Sequence, residues 1–199
     1  EQNTYQKYIA IGSLCKFYRN HTDDFMNSKF KSYTIKNINN HSLKNLKNLK
    51  IGFSWFSFAE KNAAKRSLSV DEVSRILSCN KNSFINLQYG EVKNQIESIN
   101  NISENKLVTL DNIDLTGDIE TVAGIINSCD LIITIDNTLA HLASSLGKQV
   151  WVLLPYSADF KWMEDITASL WYENTLVLRQ SSNSSWENVI KTIEHAFSE

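Results

Sequence analysis

From Lys50 onward the apolar residues come in short unbroken runs: IGFSW (51–55), FINLQ (84–88), LVTL (107–110), LIITI (131–135), VWVLL (150–154) and TLVL (175–178). Runs of this length without alternation predict strands covered on both faces, the pattern of a parallel sheet. Between the runs, apolar positions take up helical spacing. Ser69 and Glu72 form a capping box ahead of Val70, Val73, Ile76 and Leu77. Val92, Ile96 and Ile99 make a second stripe. Asp118 caps a third, formed by Ile119, Val122, Ala123 and Ile126. Leu139, Leu142, Ala143 and Leu146 form a fourth, stopped by Gly147. Ser185 is placed to cap the last, which carries Trp186, Val189, Ile190, Ile193 and Phe197.

Strands alternating with helices predict βαβ units, and so an α/β fold: a Rossmann-like, doubly wound parallel sheet. Residues 19–49 are polar and dotted with lysine, with no clear period. The expected division is therefore a linker and residual N-terminal segment over 1–49 and one Rossmann-like domain over 50–199. No GxGxxG follows the first strand and no GxxxxGK[ST] occurs, which disfavours dinucleotide and P-loop chemistry.

Composition narrows the partners. The 199 residues carry a net charge of −2, with 42% hydrophobic and 21% charged residues. That balance leaves no electrostatic footprint for nucleic acid. No apolar run reaches the ~20 residues of a transmembrane segment. Cys15, Cys79 and Cys129 are scattered without metal-ligand spacing, so no metal site is expected, and reduced thiols fit a cytoplasmic location. The chain opens at Glu1 without Met and without a signal peptide, as a piece of a longer protein would.

In open parallel sheets, ligands bind beyond the carboxyl ends of the strands. Four polar clusters stand there. Ser54 to Ser57, with Lys65 and Arg66 downstream, offers hydroxyls and cations for phosphate, or else a solvated loop. Gln88 and Tyr89 could read a base or a sugar, or form a turn on Gly90. Asp111 and Asp118 flank a third loop, where capping accounts for Asp118. The fourth is IDNTLAHL, 135–142: Asp136 ends a strand, Asn137 or Thr138 starts a helix, and its free N–H groups suit an anion. On a helical wheel His141 points away from the face marked by Leu139 and Leu142. The aromatic connection from Pro155 to Arg179 is too long for a bare loop, and Trp162, Trp171 and Tyr172 argue that it is anchored.

Taken together, DLIITIDNTLAHLASSLGKQVWVLLP and the stretch after it to Gln180 resemble the C-terminal signature of heptosyltransferase-like bacterial glycosyltransferases (family 9-like). The closest branch is the one associated with tetratricopeptide repeats. It reads roughly D-L-V-I-S-V-D-T-x-x-A-H-L-A-G-A-L-G-K-P-V-W-x-L-L-P, then D-W-R-W, W-Y-P and L-F-R-Q. IGFSW, Lys65 to Leu68, INLQYG and IAIGSLCKFYR (9–19) resemble its G-L-x-W, N-R-S-I, S-L-Q-x-G and G-S-L-P-x-x-F-R elements.

The resemblance implies the C-terminal half of a GT-B fold, binding a nucleotide-sugar donor, with no cofactor and no metal. A preceding N-terminal domain would supply the acceptor site and the general base; the acceptor, glycan or protein, stays unnamed. Transfer would be inverting, to an acceptor hydroxyl. His141 would be catalytic. Ser54, Ser57, Arg66, Gln88, Asp136, Asn137, Thr138 and Leu139 would bind the donor, with Gln88 near base or ribose. The final helix would turn Trp186 and Phe197 toward the preceding domain. Two other readings remain open: a non-catalytic scaffold or interaction module of the same fold, and a nucleotide-sugar epimerase. The chain departs from the pattern at Cys15, Asn137, Gln149, Phe160 and Lys161. Lys161 keeps the charge of the usual Arg but loses its bidentate fork.

Overall fold

The computed structural model describes residues 7–26, 35, 41–59, 61, 63–79, 81–111, 113–182 and 185–198. They fall in two compact units, Glu1–Lys31 and Ser32–Glu199. In the first, a 3-10 turn (Ile11–Ser13) leads into two single-turn helices, α1 (Cys15–Tyr18) and α2 (Asp23–Met26). The Arg19 guanidinium lies 5.5 Å from the Phe25 ring centroid. The Asp24 carboxylate accepts the N–H groups of Asn20 and His21, which hold its pKa below the ordinary value. Most of the polar stretch between the units lies outside the described residues.

The second unit begins with α3 (His41–Lys44), whose Leu43 is buried in the core with Ile35 and Leu46 packed beside it. The boundary expected at residue 50 therefore lies inside this unit. Among the described residues, the strands are β1 (Lys50–Ser54), β2 (Ser83–Asn86), β3 (Leu131–Ile135), β4 (Gln149–Leu154) and β5 (Thr175–Arg179). They form one sheet in the order β2-β1-β3-β4-β5. Every pairing is parallel. The Rossmann-like α/β fold expected from the pattern is present.

The helices are α4 (Ala63–Arg66), α5 (Val70–Ser78), α6 (Lys93–Ile102), α7 (Ile119–Ser128), α8 (Thr138–Ser145) and α9 (Glu187–Ala196). Side-chain alternation divides the core between the two faces of the sheet. Ile51, Phe53, Ile133, Ile135 and Leu153 pack against α5, α6 and α9. Ile132, Val150, Val152 and Val177 pack against α7 and α8. β3 is buried at all five positions, as a central strand covered on both sides must be.

The caps follow the sequence closely. The capping box of Ser69 and Glu72 forms, and Asp118 accepts Thr121 N–H at 2.9 Å. Gly147 takes φ 73 after α8, a conformation that stops the helix at little cost only for a residue without Cβ.

Three expectations need correction. LVTL (107–110) meets the sheet at one point, where Val108 bridges Ile85. There Val108 N–H donates to Phe84 O and Val108 O accepts the Asn86 N–H, while the Asn100 side chain accepts the neighbouring Leu107 N–H. Trp186, not Ser185, is the cap residue of α9. Its indole N–H donates to Ser67 O at 3.0 Å, and this buried contact fixes the backbone ahead of the helix. Trp186 and Phe197 do not form an exposed apolar face: Trp186 is buried, and Phe197 packs on Phe84 and Trp151.

Candidate functional site

From β1 the chain crosses to β2 on one side, and β3 pairs on the other. The carboxyl ends of β1 and β3 thus flank the switch point of the sheet, where this architecture leaves a crevice for ligands. Ser54 ends β1; Asp136 and Asn137 follow β3 directly.

Asn137 is the N-cap of α8. Its Oδ1 accepts the Ala140 N–H at 3.3 Å, while its Nδ2 donates to Ser54 Oγ at 3.0 Å. Ser54 in turn donates to Gln88 Oε1 at 2.9 Å. That oxygen also accepts the N–H groups of Trp55 and Phe56, and Gln88 Nε2 donates to the carbonyls of Phe56 and Tyr89. Ser54 and Gln88 are buried. Their polar atoms are therefore engaged by the protein: these two expected ligand contacts tie the loop after β1 to the ends of β2 and β3. Ser57 has a similar place, accepting Ala59 N–H through its hydroxyl while its own N–H donates to Ser67 Oγ.

Asp136 lies on the other side of the same helix start. Its carboxylate, only 2% exposed, meets Arg66 Nη2 at 2.6 Å and Lys161 Nζ at 3.4 Å. Arg66 comes from the end of α4. Lys161 comes from a 3-10 turn, Phe160–Trp162, in the connection between β4 and β5. Lys161 Nζ also lies 3.8 Å from Asp159 Oδ2, so the two cations face two carboxylates, one buried and one 40% exposed. Arg66 and Lys161 keep partial exposure, 27% and 31%. The first N–H groups of α8, at Thr138 and Leu139, precede any intrahelical acceptor and add a positive field.

His141 sits in the first turn of α8, off its buried face, as the wheel predicts. It is not free in solvent. Its Nδ1 lies 3.1 Å from Tyr172 Oη, and the Trp162 ring stacks on it at 5.3 Å and 17°. Burial, together with the Lys161 charge, depresses its pKa below 6.5 against the opposing pull of Asp136 and Asp159. At neutral pH the imidazole is uncharged.

Thr138 and Leu139 border a cleft of about 270 Å³ shared with Leu87, Tyr89, Thr116 and Leu142. Tyr89, Leu115 and Thr116 also line an adjoining open depression of about 980 Å³, where Asn86, Glu91 and Asp114 contribute polar groups. Phe58 packs on Gly90, whose φ of 84 suits glycine; a Cβ there would fall 2.5 Å from the Phe58 ring.

The structure brings Arg66, Asp136, Asn137, Thr138, Leu139 and His141 to one helix start. Lys161, Trp162 and Tyr172 join them without having been marked as binding residues. The signal for Lys161 was its place at the basic position of the D-W-R-W pattern. Burial pushes the Cys79 and Cys129 thiols up to about 11 and about 12, leaving them unreactive. Among the described residues, no group of His, Cys, Asp and Glu is arranged to hold a metal, and no helix is long and apolar enough to cross a membrane.

No protein-family model matches the chain, and no curated protein does either. A solved structure does: the crystal structure of the glycosyl transferase family 9 from Veillonella parvula DSM 2008, with a TM-score of 0.54 and 16% identity. The likeness covers 93% of this chain and 46% of that one, so the chain spans less than half of its structural neighbour. At this identity the likeness concerns the fold: the chain has the Rossmann-like α/β architecture found within a glycosyl transferase family 9 structure.

Proposed function

We propose that the chain is the donor-binding half of an inverting, metal-independent glycosyltransferase of the GT-B type, related to the heptosyltransferase-like branch that accompanies tetratricopeptide repeats. The observation that carries this reading is the convergence of Arg66 and Lys161 over Asp136, at the N-terminus of α8 and at the switch point of the sheet. A diphosphate seated there meets two cations and the free N–H groups of Thr138 and Leu139. The nucleoside extends into the cleft beside Leu87 and Tyr89. When the acceptor oxygen bonds to the anomeric carbon, the bond from that carbon to the phosphate oxygen breaks. The nucleoside diphosphate departs with added negative charge, which the preorganised cations and helix dipole stabilise. The acceptor proton passes to a base supplied by the other half of the fold. Neutral His141 contributes a hydrogen bond rather than a charge.

The test is calorimetric titration of the protein with UDP, ADP and GDP at low salt. The reading expects one of them to bind, and Arg66→Ala to weaken that binding about ten- to a hundredfold, as loss of a charge-assisted bond of about 1.5–3 kcal/mol would. Absence of binding by all three sinks it.

A further inference from the structure

The turn that delivers Lys161 and Trp162 has an unfavourable backbone. Met163, directly after it, has φ 50 and ψ 179, a conformation that favours glycine, and Asp165 has φ 55. A side-chain-bearing residue stays there only when its surroundings hold it. The holder is on the neighbouring strand. Arg179, the last residue of β5, donates from Nη2 to the carbonyls of Trp162 at 3.2 Å and Met163 at 2.5 Å. These carbonyls close the 3-10 turn, where a cation is also favoured by the turn's dipole.

Arg179 is itself well anchored. It pairs with Leu154 at the end of β4. The amide of Asn188 in α9 donates to its carbonyl at 2.8 Å, and Gln180 N–H donates to Leu154 O. The connection after the turn folds back on β5, with Val177 N–H donating to Thr167 O and Ser169 N–H to Thr175 O. Arg179 makes no hydrogen bond or ion pair with Asp136 or His141; it grips Trp162, whose ring stacks on His141, and Met163, which follows it.

We infer that Arg179 is a positioning residue of the site: by gripping the carbonyls of Trp162 and Met163, it keeps the Phe160–Trp162 turn in the one conformation that sets Lys161 on Asp136 and the Trp162 ring on His141. As a part of the donor site this rests on the function proposed above. As a clamp it can be tested without any donor.

The probe is the NMR titration of the His141 ring in the full chain, assigned with His141→Asn. The groups facing that ring are Trp162, Tyr172, Lys161, Asp136 and Asp159. In Arg179→Met the turn relaxes, Trp162 uncovers the imidazole and Lys161 withdraws. The midpoint then moves up from the wild-type value toward 6.5, with the far-UV circular dichroism unchanged. Arg179→Lys keeps a charged donor but is too short to bring it to the position of Nη2, and gives an intermediate midpoint. Adding Met163→Gly to Arg179→Met returns the midpoint toward wild type, because glycine adopts this backbone unaided. A folded Arg179→Met with the wild-type midpoint overturns the proposal. If Arg179→Met does not fold, Arg179→Lys decides: an upward shift supports the clamp, and a wild-type midpoint overturns it. A negative result here strikes Arg179 alone, and absent nucleotide binding strikes the donor reading alone.

Discussion

Two networks meet at the start of α8, and they differ in how their polar groups are spent. On one side Asn137, Ser54 and Gln88 form a buried, uncharged chain in which protein groups satisfy one another. On the other, Asp136, Asp159, Arg66, Lys161 and His141 form a charged cluster whose cations keep partial exposure. Neighbouring letters of the sequence, Asp136 and Asn137, feed the two. The contrast teaches that a polar residue at a strand end can be the frame of a site rather than a contact in it. A buried group already paired has little to offer a ligand, whereas a partly exposed cation can still meet an anion.

The largest effect that sharpens the contrast is expected from Gln88→Leu. It orphans the N–H groups of Trp55 and Phe56 and the carbonyls of Phe56 and Tyr89. Each buried orphan costs about 1–3 kcal/mol, so a loss of about 3 kcal/mol or more should appear in urea unfolding. A loss below about 1 kcal/mol would mean that Gln88 is not part of the frame.

Arg66→Ala should show the opposite profile. The pair with Asp136 is partly exposed on the arginine side, so stability should change by about 1 kcal/mol or less while nucleotide affinity falls far more. Comparable losses in both would erase the distinction between the networks.

Asn137→Ala should fall between. It removes a helix cap worth about 1 kcal/mol and the donor to Ser54. Asn137→Thr, the letter of the family pattern, should recover most of the cap, as read by thermal unfolding.

The smallest effect is one of pH. Folded His141 binds its proton less tightly than the unfolded chain, whose histidine titrates near 6.5. Below that pH the unfolded state takes up more protons, so this contribution to stability is complete above about pH 6.5 and is lost as pH falls toward the folded value. His141→Asn should flatten that acid limb in denaturant unfolding; an unchanged limb would show that the imidazole is not buried as described.

Much of this molecule was legible in its sequence. Apolar runs marked the five strands because a central parallel strand is buried on both faces, and Ser69, Asp118, Asn137 and Gly147 marked helix ends through local chemistry. In the candidate cluster, the sequence brought Asp136, Asn137 and His141 to one helix start because that grouping is local. Lys161, Trp162 and Tyr172 reach His141 and Asp136 only through the folding of the connection after β4; the sequence marked Lys161 as a basic position and the aromatics as anchors, without the partners they meet. Sequence could not show that the Gln88 amide bonds the backbone of Trp55, Phe56 and Tyr89, because an amide at a strand end reads the same whether its partners are backbone or ligand. LVTL read as a strand because its apolar run gives no sign that pairing with β2 is confined to Val108.

The most direct test of the central claim is a crystal structure of the protein with a nucleoside diphosphate bound. The account predicts phosphate oxygens within hydrogen-bond distance of the Thr138 and Leu139 N–H groups and of Arg66 or Lys161, with the bonds among Asn137, Ser54 and Gln88 unchanged. A diphosphate bound elsewhere, or one that displaces Gln88 from its backbone partners to make contact with it, would contradict the account.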